Sequence, residues 1–184
     1  MQTRKGGDRM RKLNLPLSEE ERMSLKAGEA VLLSGEIYTA RDAAHKKIHE
    51  LIEEGKELPF DLCDAIIYYV GPTPAKEGQA IGSAGPTTSG RMDPYTPELL
   101  EYGLTGMIGK GRRNQAVKDA IVRHHAIYFV AVGGAGALLS HAVLKREMVA
   151  FEELLAEAVT KLTVKDFPCF VGIDCEGNDI YDLA

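Results

Sequence analysis

The chain has 184 residues and a mass of 20.1 kDa, a size typical of about one domain. Apolar residues make up 45% of the chain, so a sizeable core can form and global disorder is excluded. The 27 acidic residues outnumber the 22 basic ones, giving a net charge of −5, which argues against a dedicated nucleic-acid-binding protein but leaves room for a local cationic pocket.

The cysteines and the N-terminus both favour a cytoplasmic protein. The three cysteines, Cys63, Cys169 and Cys175, exclude a disulfide-stapled mini-domain and fit a reducing compartment. Three cysteines could in principle ligate an iron–sulfur cluster, but Cys169 lies in a strand-like run that favours a buried free thiol. Residues 1–12 are polar and lack the apolar segment of a signal peptide. We predict a flexible tail over residues 1–12 and a single domain over residues 13–184.

The first half of the chain is predicted to alternate helices and strands. Ser18 followed by Glu21 has the spacing of a capping box and predicts a helix start. The other elements predicted here are strands at residues 30–33 and 37–38, a helix opened by the Thr39-Ala40-Arg41-Asp42 start pattern that runs to about Glu54 with Gly55 after it, and an apolar strand at residues 65–70.

The second half continues this alternation. The predicted elements are a short strand at residues 79–84, a helix from Thr96 that ends at Gly103, a strand at 104–108, a helix at 114–124, and strands at 127–132, 147–151 and 169–174. Strands that alternate with helices indicate a layered α/β domain with a largely buried sheet.

Residues 126–144 imitate a membrane span, since they contain no Asp, Glu, Lys or Arg over a suitable length. Gly133, Gly134 and Gly136 interrupt this stretch, whose first part is rich in β-formers. We therefore interpret it as a buried strand, a glycine turn and a short apolar helix, and we predict no membrane association.

Three other patterns imitate cofactor sites. Gly134 and Gly136 follow a strand but lack the third glycine of a dinucleotide loop, and residues 103–111 have the wrong spacing for a phosphate loop. His45 and His49 have the spacing of two zinc ligands on one helix face. Neighbouring charged residues favour a solvated face instead, so these patterns define no site.

The most informative segment is the polar loop at residues 83–95. Gly85 and Gly90 allow a tight turn that exposes backbone N–H groups, and Arg91 adds a planar fork that matches a carboxylate or phosphate. Three adjacent hydroxyls lie between the glycines: Thr87, Thr88 and Ser89. This density of anion donors predicts an anion-binding loop.

Two further cations follow predicted strands. Arg41 opens a helix and Lys110 lies in a Gly-Lys-Gly loop. Open α/β sheets bind ligands at the carboxyl ends of their strands, so Arg41, Arg91 and Lys110 are expected to converge on one pocket. Three cations in an otherwise acidic protein indicate a dianionic substrate such as a dicarboxylate.

Four segments together carry a family resemblance: residues 34–46 (SGEIYTARDAAHK), 82–93 (GSAGPTTSGRMD), 109–111 and 133–135. From about Leu13 to its C-terminus, the chain resembles the β subunit of class I iron–sulfur hydro-lyases. This family comprises the class I fumarate hydratases and the L(+)-tartrate dehydratases.

The resemblance implies a single swivelling β/β/α domain and a partner α subunit, with assembly as a dimer of αβ pairs. It also implies a [4Fe–4S] cluster with one open iron, a Lewis acid for the leaving hydroxyl. Three cysteines of the α subunit hold this cluster. The cysteines of the present chain do not match those ligand positions, so no metal site is predicted here.

By motif position, the resemblance implies that Thr87 is the base that removes the carbon-bound proton. It also implies that Arg41, Thr88, Arg91 and Lys110 bind the substrate. A threonine hydroxyl is rarely ionised near neutral pH and needs nearby cations or an acidic partner residue to activate it. A base on the α subunit therefore remains an alternative.

The implied reaction is the reversible hydration of a dicarboxylate, foremost fumarate to L-malate. Two alternatives stay open at this point. One is an L(+)-tartrate dehydratase β subunit, and the other is a non-catalytic dicarboxylate- or anion-binding module with the same fold.

Overall fold

The computed structural model describes residues 10–131 and 136–183. The strands are β1 (Arg11–Asn14), β2 (Ala30–Thr39), β3 (Ile66–Tyr68), β4 (Gly106–Gly109), β5 (Ile127–Val130), β6 (Val143–Ala150) and β7 (Val159–Ile173). The helices are α1 (Glu19–Ser24), α2 (Asp42–Glu53), α3 (Thr96–Glu101), α4 (Gln115–His124) and α5 (Gly136–Ser140). Short 3₁₀ turns cover Ser89–Met92, Glu152–Glu157 and Ile180–Asp182.

The strands form one sheet whose hydrogen-bonded order is β1-β2-β3-β4-β5-β7-β6. Strands β1 to β5 pair in parallel, whereas β7 is antiparallel to β5, β6 and β2. Because β7 contacts both β5 and β2, the pairings make a closed circuit through β2, β3, β4, β5 and β7.

The parallel strands separate two hydrophobic cores. In β3, Ile66 and Tyr68 face the core enclosed by β1, β2 and β7, whereas Ile67 faces the core formed with α2, α3 and α4. Strands buried on both faces read as continuous apolar runs, which explains the sequence of β3 and β5. The domain therefore has three layers, in which the parallel strands lie between a layer of further strands and a layer of helices. This arrangement confirms the α/β prediction.

The helix starts follow the capping chemistry of the sequence. Ser18 Oγ accepts the backbone N–H of Glu21 at 3.1 Å, and the Glu21 carboxylate accepts the backbone N–H of Ser18 at 3.2 Å, a complete capping box. Asn114 Oδ1 accepts the backbone N–H of Val117 at 2.9 Å and caps α4, which ends at His125 in a left-handed conformation. Both helices were predicted at these positions.

The short strand predicted at residues 79–84 is wrong. This segment folds back on Thr73, whose backbone oxygen accepts the N–H of Gly82 at 3.0 Å and whose side chain accepts the N–H of Ser83 at 2.7 Å. The apolar run is too short to pair with the sheet, and Gly82 lies so close to Thr73 that a Cβ would be 2.2 Å from its Oγ1.

Strand lengths also differ from the predictions. β2 is one strand across Gly35, where the register with β7 shifts, and β7 begins at Val159, well before the predicted residue 169. β1 begins at Arg11, so the sheet includes two residues of the range 1–12. The tail prediction for residues 1–9 lies outside the described residues, as does the glycine turn at 133–135.

Residues 126–131 and 136–144, which imitate a membrane span, belong to β5, α5 and the start of β6. Within the described ranges, no helix combines the length and the apolar character that a membrane crossing needs.

Candidate functional site

The predicted site residues lie at the carboxyl ends of three neighbouring parallel strands. Arg41 follows β2 and caps α2, Lys110 directly follows β4, and the loop at residues 83–91 crosses the ends of β3 and β4. This edge of a parallel sheet is where α/β proteins bind ligands. The topology therefore brings all five predicted residues to one edge of the sheet.

Backbone hydrogen bonds attach the loop to the strand ends. The N–H of Thr87 donates to the carbonyl of Tyr69 at 2.8 Å, and the N–H of Ser89 donates to the carbonyl of Lys110 at 2.9 Å. Thr88 pairs with Lys110 in a parallel β-bridge. Thr87 is half-buried and Thr88 is exposed, and the backbone bridge places Thr88 beside Lys110.

Gly109 makes the close approach of the loop to β4 possible. A Cβ on Gly109 would lie 1.9 Å from Ser89 Oγ and 2.8 Å from the ring of Tyr69. The buried Ser89 hydroxyl occupies that space and lies 2.7 Å from the hydroxyl of Tyr128. A side chain at residue 109 would push the loop, with its threonines, away from the strand end.

A buried ion pair that the sequence analysis missed holds the far end of the loop. Arg113 Nε donates to Asp93 Oδ1 at 2.6 Å, and Arg113 Nη2 donates to Thr96 Oγ1 at 2.8 Å. The guanidinium also lies over the rings of Tyr69 and Tyr128. Asp93 is the last residue of the segment 82–93, and Arg113 lies two residues after the segment 109–111. Nothing in the local sequence pattern indicates that either side chain is buried.

The predicted substrate arginines each lie near a carboxylate of this chain. Arg91 Nη2 lies 2.8 Å from Asp42 Oδ2, which places Arg91 beside the start of α2. Arg41 Nε lies 4.0 Å from Glu157 Oε1, and its side chain passes over Gly71, where a Cβ would be 3.0 Å from Arg41 Cδ. The sequence analysis did not identify Asp42 and Glu157 as neighbours of these arginines.

His45 also belongs to this region, and the expectation of a solvated His45 is wrong. Its side chain is 1% exposed and packs against the rings of Tyr69 and Tyr95. Nδ1–H donates to the carbonyl of Arg41 at 2.7 Å. Burial lowers the pKa of His45 to about 4, so the ring is neutral at physiological pH.

The three cysteines do not fit an iron–sulfur cluster. Cys63 is exposed, whereas Cys169 and Cys175 are buried, and Cys169 packs into the core next to β2. Burial raises the pKa of the Cys169 thiol and raises that of Cys175 to about 11, so neither is a ready thiolate ligand.

Among the described residues, the single group of His, Cys, Asp and Glu side chains close enough to share an ion is His49, Glu53 and Glu98. It contains no cysteine, and His45 does not belong to it. The structure places His49 beside Glu98 of α3, at 2.8 Å, rather than in one group with His45.

Comparison with known proteins identifies a family and several similar sequences. The family model described as Fumarase C-terminus matches residues 2–184. The chain is 41% identical over 173 residues to the aerobic class I fumarate hydratase of Salmonella typhimurium, covering 92% of the chain and 30% of that protein. It is 42% identical over 173 residues to the anaerobic class I fumarate hydratase of Escherichia coli K12, covering 92% and 32%.

A relative of similar length also matches. The chain is 38% identical over 172 residues to a protein of Methanocaldococcus jannaschii with the provisional name L(+)-tartrate dehydratase subunit beta, covering 90% of the chain and 88% of that protein. The chain thus spans about a third of the fumarate hydratases that it matches, and nearly the whole of this subunit. With a family match over residues 2–184 and a sheet edge that gathers its predicted anion-binding residues, the chain belongs to the Fumarase C-terminus family.

Proposed function

We propose that this chain is the β subunit of a hydro-lyase that reversibly dehydrates a 2-hydroxy dicarboxylate, foremost L-malate to fumarate and water. The observation that carries the proposal is the attachment of the Thr87–Arg91 loop across the ends of β3 and β4, beside Lys110 and Arg41. In this arrangement three cations and two threonine hydroxyls border one edge of the sheet. The class I fumarate hydratases named above support the choice of reaction.

In the proposed mechanism, the cations bind the two carboxylates of the substrate. Arg91 and Arg41 are planar forks that match a carboxylate, and Lys110 adds a point charge at the end of β4. Loss of the proton from the carbon next to a carboxylate places negative charge on that carboxylate. Cations held in advance at this position stabilise the charge as it develops.

The threonines have separate proposed roles. Thr87, in its deprotonated form, accepts the carbon-bound proton, and the C–H electron pair forms the C=C bond as the C–O bond to the adjacent carbon breaks. The proton then passes from Thr87 to the departing hydroxide, which leaves as water, while Thr88 donates a hydrogen bond to a substrate carboxylate. Thr87 needs help to act as a base, because its hydroxyl is neutral near pH 7. We propose that Lys110, whose backbone pairs with that of Thr88, and Arg91, in the turn that follows Thr88, supply it.

We further propose that a partner α subunit holds the [4Fe–4S] cluster. The cysteines of this chain do not fit the cluster, as described above. The fumarate hydratases that match are about three times longer than the matched region, and their remaining length is enough for such a partner, which supports the proposal. We expect the complex to be a dimer of αβ pairs, in the reducing cytoplasm that its free cysteines suit.

The three-layer arrangement supports the swivelling β/β/α fold as part of this proposal. The antiparallel β7 and its neighbours cover one face of the parallel strands, and α2, α3 and α4 cover the other. This domain then presents one sheet edge, with the cations and threonines, to the partner.

L(+)-tartrate is the second candidate substrate. The M. jannaschii relative that the chain matches over 88% of its length carries the name of a tartrate dehydratase subunit. Tartrate is also a 2-hydroxy dicarboxylate, so the same cations would bind it.

Co-expression with the α subunit under anaerobic conditions tests the proposal. Assays with L-malate, fumarate and L(+)-tartrate should show reversible hydro-lyase activity with one of the two couples. Arg91→Ala should abolish most of it, whereas Arg123→Ala, an exposed arginine on α4, is the matched control. A cluster-loaded complex that turns over none of these acids contradicts the proposed reaction.

A further inference from the structure

Lys110 lies between two glycines, and both backbone polar groups of the glycine that follows it, Gly111, are hydrogen-bonded to tyrosine hydroxyls. The N–H of Gly111 donates to the hydroxyl of Tyr181 at 2.9 Å. The hydroxyl of Tyr128 donates to the carbonyl of Gly111 at 2.8 Å. Gly111 itself has a φ of +84°, a conformation in which glycine carries little penalty of its own and needs outside contacts to be fixed.

Tyr181 is fixed in turn by the residue next to Gly111. The guanidinium of Arg112 lies 5.5 Å from the centre of the Tyr181 ring and donates to the backbone carbonyl of Tyr181 at 2.9 Å. It also donates to the carboxylate of Asp182 at 2.9 Å. The C-terminal turn Ile180–Asp182 therefore accepts hydrogen bonds from both Gly111 and Arg112.

The C-terminal turn is anchored to the body of the domain by a buried side chain. Asp179 is 3% exposed, and its carboxylate accepts the backbone N–H of Tyr181 at 2.9 Å. Lys118 of α4 lies 2.8 Å from the same carboxylate. The position of Tyr181 is therefore set by α4, the helix that follows the Lys110 loop.

On the other side of Gly111, Tyr128 connects the loop to the threonine segment. Tyr128 lies on β5 with its hydroxyl 2.8 Å from the Gly111 carbonyl and 2.7 Å from Ser89 Oγ. Ser89 is the residue after Thr88. Tyr128 therefore links Gly111 to the segment that carries the two threonines, and Tyr181 holds Gly111 from the outside.

We propose that Tyr181 is a positioning residue for Lys110, acting through the N–H of Gly111, so that the C-terminal turn sets where the lysine presents its charge. This inference rests on the proposed function and deepens it by adding a residue of the C-terminal turn to the site's machinery. A lysine side chain has four flexible carbons, and a backbone fixed at its root lowers the entropy that is lost when the ammonium binds a carboxylate.

Tyr181→Phe is the sharpest variant, because it keeps the ring beside Arg112 and removes only the acceptor for the Gly111 N–H. The Tyr181 side chain is 41% exposed, so the variant should fold. Tyr102→Phe is the matched control, since Tyr102 is 49% exposed and follows α3. Arg112→Gln is a second variant that should loosen the hold of Tyr181 on Gly111. It removes the contacts of the Arg112 guanidinium with the ring and the backbone carbonyl of Tyr181.

The first measurement is amide exchange at Gly111 in the full chain, followed by NMR. Loss of one neutral hydrogen bond corresponds to about a two- to tenfold change in an equilibrium constant. We expect the Gly111 amide to exchange faster by about that factor in Tyr181→Phe and at the wild-type rate in Tyr102→Phe. An unchanged Gly111 exchange rate in Tyr181→Phe overturns the proposed contact.

The second measurement is steady-state kinetics of the complex with the α subunit. Tyr181→Phe should lower kcat/KM by about two- to tenfold, because the proposed function gives Lys110 a part both in binding the substrate carboxylate and in stabilising the charge that develops on it. In a Lys110→Met background, Tyr181→Phe should have no further effect, whereas a merely structural role would add its full effect in both backgrounds.

The outcomes separate the two proposals. An active wild-type complex in which Tyr181→Phe and Arg112→Gln leave kcat/KM unchanged overturns the positioning role alone. Additive effects of Tyr181→Phe and Lys110→Met on kcat/KM would also overturn the positioning role alone. A cluster-loaded wild-type complex with no activity on any of the three acids overturns the proposed function, and the positioning role with it.

Discussion

Arg113 and Asp93 form an ion pair with an Nε–Oδ1 distance of 2.6 Å, and their side chains are 0% and 8% exposed. The second oxygen of Asp93 accepts the backbone N–H of Asn114 at 2.8 Å, and Asn114 caps α4. The pair therefore joins the end of the anion-binding loop to the helix that follows Lys110. Two segments that are separate in sequence become one rigid support for the site.

Asp93→Ala should lower the free energy of unfolding by about 3–5 kcal/mol, because it leaves the guanidinium of Arg113 buried without its partner. Urea denaturation at neutral pH measures the loss. Lys26→Ala is the control, since the side chains of Lys26 and Glu176 are 59% and 68% exposed and such a pair contributes about 0–1 kcal/mol. Similar midpoints for the two variants would show that the buried pair adds no stability.

Arg91→Ala in the complex with the α subunit should lower kcat/KM by about thirtyfold to a thousandfold, corresponding to about 2–4 kcal/mol of transition-state stabilisation. The free energy of unfolding should change by less than about 0.5 kcal/mol, because Arg91 is 53% exposed and its contact with Asp42 is a surface ion pair. A variant with near wild-type kcat/KM would remove Arg91 from the anion pocket.

Thr87→Val and Thr88→Val should separate the proposed roles of the two hydroxyls, since valine keeps the shape of threonine. Thr87→Val should mainly lower kcat, whereas Thr88→Val should weaken substrate binding by roughly 0.5–3 kcal/mol. Direct titration measures binding, and solvent exchange of the carbon-bound proton measures proton transfer. If Thr87→Val exchanges this proton at the wild-type rate, the base lies elsewhere, and the α subunit is the place to search.

The stability of the chain should fall as the pH drops from about 6.5 to about 4, because the folded protein keeps His45 neutral while the unfolded chain protonates it. Above pH 6.5, His45 is neutral in both the folded and the unfolded chain, so it does not reduce stability. The loss is complete below about pH 4, and a pKa lowered from 6.5 to about 4 corresponds to about 3 kcal/mol of unfolding free energy. Urea denaturation between pH 7 and pH 4 measures this loss.

His45→Asn should remove this part of the pH dependence, because an amide can still donate to the Arg41 carbonyl and does not titrate. The same exchange at the exposed His141 is the control and should leave the wild-type slope in place. If the free energy of unfolding depends on pH equally in the wild type and in His45→Asn, protonation of the buried ring does not destabilise the fold and the prediction is wrong.

Anaerobic reconstitution of this chain without a partner should give no stoichiometric [4Fe–4S] cluster, because two of its thiols are buried and have raised pKa values. Iron and sulfide content per chain are the measurements. Cys63→Ser is the control for adventitious iron at the exposed thiol. A stoichiometric, catalytically active cluster on the isolated chain would place the metal site here rather than on the α subunit.

Much of the local structure could be predicted from sequence because its causes are local. The Ser18–Glu21 capping box and the Asn114 start of α4 depend on side chains that reach only three residues along the chain. The glycines and hydroxyls of residues 83–91 are likewise a local pattern, and the anion-binding role that they indicate stays a prediction. The family resemblance also rested on these contiguous segments, and the family match over residues 2–184 confirms it.

Only the tertiary structure decided which charged and polar side chains are buried and what they contact. His45 and His49 lie four residues apart on α2, yet His45 packs between Tyr69 and Tyr95, whereas the more exposed His49 pairs with Glu98 of α3. Arg91 contacts Asp42, and Arg41 lies near Glu157, through contacts between distant parts of the chain. Burial, and with it the pKa of His45, depends on the packing of elements that no local sequence pattern specifies.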